Sequence, residues 1–351
     1  MDICDVMVIG AGPAGAQAAI SAAHQMRHVL VLTAGEVSQR KGRAYWSKSV
    51  MLEDVPVFEG VTGPKFIRSL RDWMASRAVR EVTVGGRRRK TGIEVKDGIV
   101  LRATRSEGLI DLEVSVAPLR EGRPERVEHV VGRTLVVASG FEDVWPDIEV
   151  DEGAERMYQR YRTVFRYAGN RKGWHVCIRC DGHLHLDEHL AVVGAGDYIY
   201  PVTVGAQDFT NRMTILTNGR PHGMSSEVLE KLRRRGIEVI EEKVLAHIGK
   251  GTDLLGFRFV DGSERFFDGF FVDEGLRANV EYLDGWPLQK DGEGLLVVDE
   301  DGQALDLEGQ KVPGVFAAGD VVSGTRKLIA TAFASGQNAG LSASDAIRIW
   351  D

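Results

Sequence analysis

The sequence predicts an α/β protein of two three-layer units with β-meanders, the second inserted into the first, and three observations carry this prediction. An apolar run from Ile3 to Ile9 meets the stretch Gly10-Ala11-Gly12-Pro13-Ala14-Gly15, then an Ala-rich segment to Ala23 and a second apolar run, Val29 to Leu32. The same form returns at Leu190, with a turn at Gly194-Ala195-Gly196-Asp197. Toward the other end, Gly314-Val315-Phe316-Ala317-Ala318-Gly319-Asp320 reads as a strand entering a turn, ahead of a helical segment from Ala330 to Ile349. Strand, glycine turn, helix and strand within about 30 residues form a dinucleotide-binding βαβ unit, so both units are expected to be Rossmann-like.

Composition bounds the rest. The 351 residues suit two domains, each with its own core. Charged residues at 27% and hydrophobic ones at 43% exclude a disordered chain. Gly accounts for 41 residues, about 12% against a usual ~7%, without a collagen period, which places the excess in turns or ligand loops. Lys and Arg total 44 against 51 Asp and Glu, and the net charge of −7 argues against nucleic-acid binding. Three cysteines are too few for a secreted disulfide scaffold. No apolar run of about 18 residues occurs, so no membrane-spanning helix is expected, and the first residues read as a strand rather than a signal peptide. The expected location is cytoplasmic, with peripheral association with a membrane as the alternative.

The first glycine turn shows why its spacing matters. Gly10 permits the tight turn, Gly12 lets the backbone approach a pyrophosphate, and Gly15 brings helix against strand, so that helix N–H groups face the phosphates. The acid expected for a ribose is missing: Thr33 ends the second strand, with Gly35 and Glu36 beyond. Residues 78–133 alternate as a β-meander, and its turn Gly85-Gly86-Arg87-Arg88-Arg89-Lys90 is a basic cluster expected at a solvated hairpin tip. Thr134 to Ala138 reads as a buried strand ending in Ser139-Gly140. In the second unit, strands are expected at 190–193, 213–216 and 237–240, helices at 198–210 and 225–235, and a meander over 243–272. The domains are then 1–142 with 273–351, and 143–272 between them.

Cys177-Ile178-Arg179-Cys180 stands immediately before the second βαβ unit. Under reducing conditions such a C-x-x-C pair is catalytic or metal-binding. A following helix and Arg179 would both lower a cysteine pKa, and Asp181 is placed to pass a proton when a disulfide opens. Zinc is the competing reading, because His175, His183, His185 and His189 crowd the same stretch. Their spacing does not match fingers or ribbons, and no second C-x-x-C occurs. Cys4, at the start of a buried strand, reads as structural.

In this order, GAGPAG at 10–15, EDVPVFEGVTGPKF at 53–66, VVASG at 136–140, CIRCDG at 177–182, GAGD at 194–197 and GVFAAGD at 314–320 resemble the low-molecular-weight thioredoxin reductases over essentially the whole chain. The resemblance implies an FAD domain made of both chain ends, an inserted nicotinamide-type domain, a homodimer, and a disulfide that exchanges electrons with the flavin. It implies that Cys180 faces the flavin, Cys177 meets the thiol partner and Asp181 is the acid/base. Gly10, Gly12, Pro13, Ala14, Thr33 and Asp54 would hold FAD on one side. Ser139, Gly319, Asp320 and Arg326-Lys327-Leu328 would close the other. Lys327 stands where the family usually has Gln, and as a cation near the isoalloxazine it would favour the reduced flavin.

The second glycine motif departs from that pattern. Ile199 takes the place of its third small residue, and Tyr198, Tyr200 and Pro201 occupy the helix start. After the next strand comes Thr217-Asn218-Gly219-Arg220, without the paired arginines that grip a 2′-phosphate and without an acid suited to NAD. NADPH is therefore not expected. The chain is similar here to reductase variants that have given up pyridine nucleotides, one of them drawing electrons from ferredoxin. GRAYWSKSV at 42–50 and GAGDYIYP at 194–201 resemble the diflavin-linked disulfide oxidoreductases of photosynthetic bacteria. That resemblance implies a second FAD and a dithiol, on a protein or small molecule, as the group oxidised. Trp145, Tyr158, Tyr161, Phe165, Tyr167 and Trp174, with Tyr198 and Tyr200, are candidates to stack on it, or else simply pack the core. The alternatives are a reductase using NADPH or ferredoxin, and a non-enzymatic nucleotide-binding module whose C-x-x-C holds zinc.

Overall fold

The computed structural model describes residues 2–34, 42–116, 126–148, 150–152 and 164–348. Gly35, Glu36, Tyr158 and Tyr161 lie outside the described residues. Two compact units divide the chain: Met1–Tyr45, Pro64–Glu142 and Arg277–Asp351 form the first, and Trp46–Gly63 with Asp143–Leu276 the second.

In the first unit, the strands Lys311–Ala317, Val127–Val137, Ile3–Ile9, His28–Thr33 and Arg87–Asp97 lie side by side and parallel. Val6, Met7 and Val8 are buried on both faces of the sheet, as a central parallel strand requires. The expected meander is only partly a meander. Ile99–Ser106 and Leu109–Ser115 form an antiparallel hairpin against Val127–Val137, whereas Arg87–Asp97 joins the parallel sheet beside His28–Thr33. Val84 pairs with Arg87, so the hairpin tip is Gly85-Gly86 alone and the basic cluster is an exposed stretch of strand, its side chains alternating between the two faces. A two-residue turn needs no more than those glycines.

The Ala-rich helix Pro13–His24 crosses from the first strand to the second and packs against the helix Ile329–Asp345. A Cβ on Gly336 would fall 2.2 Å from the Ala14 carbonyl oxygen, and one on Gly340 would fall 2.4 Å from that of Ala18. Both contacts advance by four residues on each helix, so the helices run parallel with their backbones nearly touching. At 1.5 Å per residue, Ile329 lies about 10 Å beyond Ala14 in the N-terminal direction.

The second unit repeats the parallel scheme. Trp174–His175, Gly269–Asp273, Leu190–Gly194, Met213–Leu216 and Glu238–Ile240 form one sheet. The helices Ile199–Ala206 and Ser226–Arg234 bury Ile199, Ala206, Val228 and Leu232 against Leu190, Val192 and Ile215. Ser225 caps the second helix by accepting from the Val228 N–H at 3.3 Å. The helix expected over 198–210 stops at Ala206, and the Thr210 hydroxyl turns the chain onto the Glu188 carbonyl at 2.7 Å. A separate sheet of Val150–Glu152, Val244–Lys250, Asp253–Phe259 and Glu264–Phe266 supplies the second meander, while 269–273 belongs to the parallel sheet.

Residues 46–63, expected with the first domain, group instead with the second. The Trp46 ring stacks on Phe165 at 4.9 Å and meets Trp145 edge-on at 5.5 Å. Lys48 Nζ donates to the Phe165 carbonyl at 2.8 Å, and Ser49 N–H donates to Gly169 O at 3.1 Å.

Gly336→Val tests the helix contact. Its side chain must push the two helix backbones apart, which should lower the unfolding free energy by about 3 kcal/mol, the upper end for overpacking. Gly12→Ala, whose Cβ meets nothing within 4 Å, should stay within about 1 kcal/mol. Denaturant unfolding of the two variants reads the difference.

Candidate active site

Cys177 and Cys180 are joined by a disulfide, and both are partly exposed. Cys177 sits at the start of the short helix Ile178–Asp181, where its sulfur accepts the Cys180 N–H at 3.2 Å. That hydrogen bond favours a thiolate on Cys177 when the bond opens. The Asp181 N–H donates to the Cys177 carbonyl at 3.1 Å. Cys4 is buried apart from this pair in the first unit, and burial pushes its thiol up to about 11.

The four crowded histidines go to four different partners. His175 Nδ1 lies 2.9 Å from Asp181 Oδ2, His185 Nδ1 lies 2.7 Å from Glu188 Oε2, His183 pairs with Glu53, and His189 Nε2 lies 3.0 Å from Thr214 Oγ1. Among the described residues, no three His, Cys, Asp or Glu side chains converge as a metal cluster would. Sequence reasoning singled out these histidines but missed Glu188 and Arg171, which bond to one another at 2.8 Å. The short spacing of Glu188 behind His185 was the available signal.

The first unit gathers most of the residues assigned to FAD. Gly10 N–H donates to Leu32 O at 2.8 Å, locking the turn to the neighbouring strand. No side chain caps the helix Pro13–His24, and a Cβ on Gly12 would enter open space. Among the described residues nothing therefore requires Gly at 12, whereas a phosphate resting on the helix N-terminus would. Gly319 is fixed by its N–H to Ser335 Oγ at 2.9 Å, and its missing Cβ leaves room for Ala14. Leu328 begins the helix Ile329–Asp345, again without a side-chain cap. Ser139 Oγ donates to Asn279 O at 2.6 Å and meets Tyr282 OH at 3.0 Å, two partners that sequence reasoning missed. Asn279 Oδ1 is buried with no partner among the described residues. These features fit a dinucleotide.

Two assignments look different in place. The Lys327 ammonium donates to Val322 O at 2.7 Å and to Thr325 Oγ1 at 3.2 Å, so it braces its own turn; burial lowers its pKa. Asp54 is an exposed residue of the second unit, unlike the others assigned with it.

The second glycine turn is occupied by the chain's own groups. Gly196 N–H donates to His222 O at 2.7 Å, and the Tyr198 ring lies 2.9 Å from where a Gly196 Cβ would stand. Asp197 Oδ1 accepts from Ser225 N at 2.6 Å. Arg220 reaches Glu274 at 2.5 Å, and that carboxylate is only 7% exposed. Burial pushes Glu274 up, with Arg220 opposing. Ile199 fills the core instead of leaving the close helix approach that a small residue allows.

Most of the aromatic residues are core. Trp174 is fully buried among Phe257, Phe270 and His247, its indole N–H donating to His247 Nε2 at 3.3 Å, so it is no stacking platform. Burial holds His247 down at about 3, keeping it neutral as that acceptor. Tyr167 is buried as well, and Trp145 and Phe165 pack with Trp46. Tyr200 receives a hydrogen bond from Arg235 at 2.5 Å. Tyr198 is the exposed ring, at 53%.

Residues 4–336 match the model of the pyridine nucleotide-disulphide oxidoreductase family. The chain is 27% identical to an alkyl hydroperoxide reductase subunit of Pseudomonas aeruginosa over 98% of its own length but 58% of that protein's. It is 26% identical to an NADH dehydrogenase of Bacillus subtilis, again spanning 58% of it. Thioredoxin reductase of Aquifex aeolicus is 26% identical, over 97% of this chain and 92% of that one. In fold, the thioredoxin reductase of Streptococcus pyogenes superposes with a TM-score of 0.75 at 19% identity, covering 98% of both chains. On a match spanning nearly the whole sequence, the chain belongs to the pyridine nucleotide-disulphide oxidoreductase family.

Proposed function

We propose that this chain is an FAD-dependent disulfide oxidoreductase that exchanges electrons between its flavin and the Cys177–Cys180 pair, and that it oxidises a dithiol on a protein or small molecule. The observation that carries the reading is the partly exposed disulfide followed by Asp181, in a chain whose other unit presents a dinucleotide cradle. Gly10, Gly12, Ala14, Thr33, Ser139, Gly319, Asp320 and Leu328 would hold the FAD. Bound there, FAD supplies a two-electron couple that neither cysteine has alone. The chain's own contribution is thiol chemistry. A partner thiolate attacks one sulfur of the disulfide, the S–S bond breaks, and the other sulfur departs as a thiolate. The Cys180 N–H steadies charge on Cys177, and Asp181 is the group that moves a proton.

The second unit serves as a nicotinamide-type domain that no longer takes NADPH. Support comes from Gly196 N–H, Asp197 and Arg220, all bonded within the unit. A second FAD would take the nicotinamide's place, with the exposed Tyr198 as its stacking ring.

Reduction of the native protein should expose two thiols to a maleimide, with Cys4 labelled only after unfolding; a count that does not rise on reduction would sink the redox reading. Gly12→Val should lose FAD while melting near the temperature of the FAD-free wild type.

NADPH and NADH should bleach the flavin poorly under anaerobic conditions. Rapid bleaching by micromolar NADPH would restore an ordinary reductase, which the likeness to the Aquifex enzyme makes the reading to fall back on.

Acid-released flavin should approach two per chain at saturating FAD, and Tyr198→Ala should bring it toward one. A ceiling of one in the wild type removes the second flavin.

A further inference from the structure

Behind the disulfide, five side chains of the second unit form one unbroken line of hydrogen bonds. Asp181 Oδ2 lies 2.9 Å from His175 Nδ1, His175 Nε2 lies 3.3 Å from His185 Nε2, and His185 Nδ1 lies 2.7 Å from Glu188 Oε2. Glu188 then accepts from Arg171 Nη2 at 2.8 Å. Both imidazoles are 0% exposed, whereas Glu188 is 26% exposed and reaches water. Phe271 holds the rings, stacked on His175 at 5.1 Å and edge-on to His185 at 5.7 Å. Gly269 makes room for the His185 ring in this position, since a Cβ there would fall 2.7 Å from it.

Donor and acceptor rules fix where the protons are. His175 Nε2 also lies 3.0 Å from the Arg171 carbonyl, which can only accept, so that nitrogen carries hydrogen. Burial pushes Glu188 up, but the bonds from Arg171 and His185 outweigh it and hold the carboxylate below its usual range. It therefore accepts from His185 Nδ1–H. Burial lowers His185, leaving it neutral with Nε2 bare, so the single His175 Nε2–H is shared between the Arg171 carbonyl at 3.0 Å and His185 Nε2 at 3.3 Å. His175 Nδ1 and Asp181 Oδ2, two acceptors at 2.9 Å, then share one further proton. The N–H donors of His175 and His185 both point away from the disulfide, and Arg171 closes the far end by donating to Glu188.

We propose that His175 and His185 are positioning residues that conduct protons from Asp181, beside the Cys177–Cys180 pair, out to Glu188 and water. This rests on the redox reading of that pair given above. The conduit serves the proposed dithiol oxidation and its reverse alike; in the reverse, when the reduced cysteines re-form their disulfide against an acceptor disulfide, one cysteine sulfur attacks it with its electron pair. The acceptor's S–S bond breaks and its far sulfur leaves as a thiolate. The second cysteine then displaces the acceptor's remaining sulfur, and two electrons have left the pair. The shared proton settles on His175 Nδ1, His175 passes its Nε2 proton to His185, and His185 passes its Nδ1 proton to Glu188. Asp181 is left a carboxylate that takes the proton of the attacking thiol.

The test uses the full chain, reduced and freed of reductant, re-oxidised anaerobically by excess bis(2-hydroxyethyl) disulfide while thiols are counted over time. His185→Gln should slow re-oxidation roughly tenfold or more, at or below the low end of what acid–base groups supply. Its rate should then climb with buffer concentration, because small buffer bases replace the conduit, whereas the wild-type rate should not. Glu188→Gln, which spares both rings, should show the same buffer dependence and decides the matter if His185→Gln does not fold. Wild-type rates without buffer dependence in the folded variants overturn the conduit alone. A wild-type chain whose thiol count never falls overturns the redox reading, and the conduit with it.

Discussion

The first unit depends on two backbones meeting with no side chain between them. Gly336 and Gly340 lie on Ala14 and Ala18, and Gly15 sits against the Gly10 carbonyl, where its Cβ would stand 1.8 Å away. Helix Pro13–His24 is thereby pinned on one side by its own turn and on the other by a parallel helix. Its uncapped N-terminus cannot swing, and the start of helix Ile329–Asp345 is carried past it. The cradle is rigid because small residues remove the slack, not because many contacts are strong.

The two units share a parallel βαβ scheme but differ at its glycine turn. In the first, Gly12 borders open space and the helix N–H groups are left without side-chain caps. In the second, the equivalent turn is closed by Gly196 N–H on His222, by Asp197 on Ser225 and by the Tyr198 ring. Arg220 has a buried carboxylate as its partner. Beneath that closed turn the βαβ packing is kept, with Ile199, Val228 and Leu232 buried in the core.

Much of this was legible in the sequence. Period and glycine spacing located both turns, the strands 190–193 and 213–216, and the long C-terminal helix, because each is a local pattern. Three things were not local. Arg87–Asp97 pairs with His28–Thr33, a choice made by the central sheet rather than by the Gly85-Gly86 turn. Residues 46–63 join the second unit through Trp46, whose partners Trp145 and Phe165 are about a hundred residues away. The aromatic run before Cys177 suggested cofactor stacking, yet Trp174 and Tyr167 are core, since a ring's surroundings cannot be seen from its identity. At the site, C-x-x-C and Asp181 were plain, while the roles of His175 and His185 depend on a fold that brings Arg171 and Glu188 to them.

The discontinuity of the first unit bears on the order in which the chain can fold. Its parallel sheet needs Lys311–Ala317, and its clamp needs Gly336, so both wait until those late segments have left the ribosome. Residues 143–276, by contrast, contain the five-stranded sheet and its helices in one continuous stretch. The inserted unit can close while Val127–Val137 still lacks its neighbour Lys311–Ala317 and the helix Pro13–His24 lacks its partner Ile329–Asp345. During synthesis the open edge of Val127–Val137 is the segment exposed to wrong pairing, and a chaperone that shields early strands would find its task in the first unit rather than in the one that bears the disulfide.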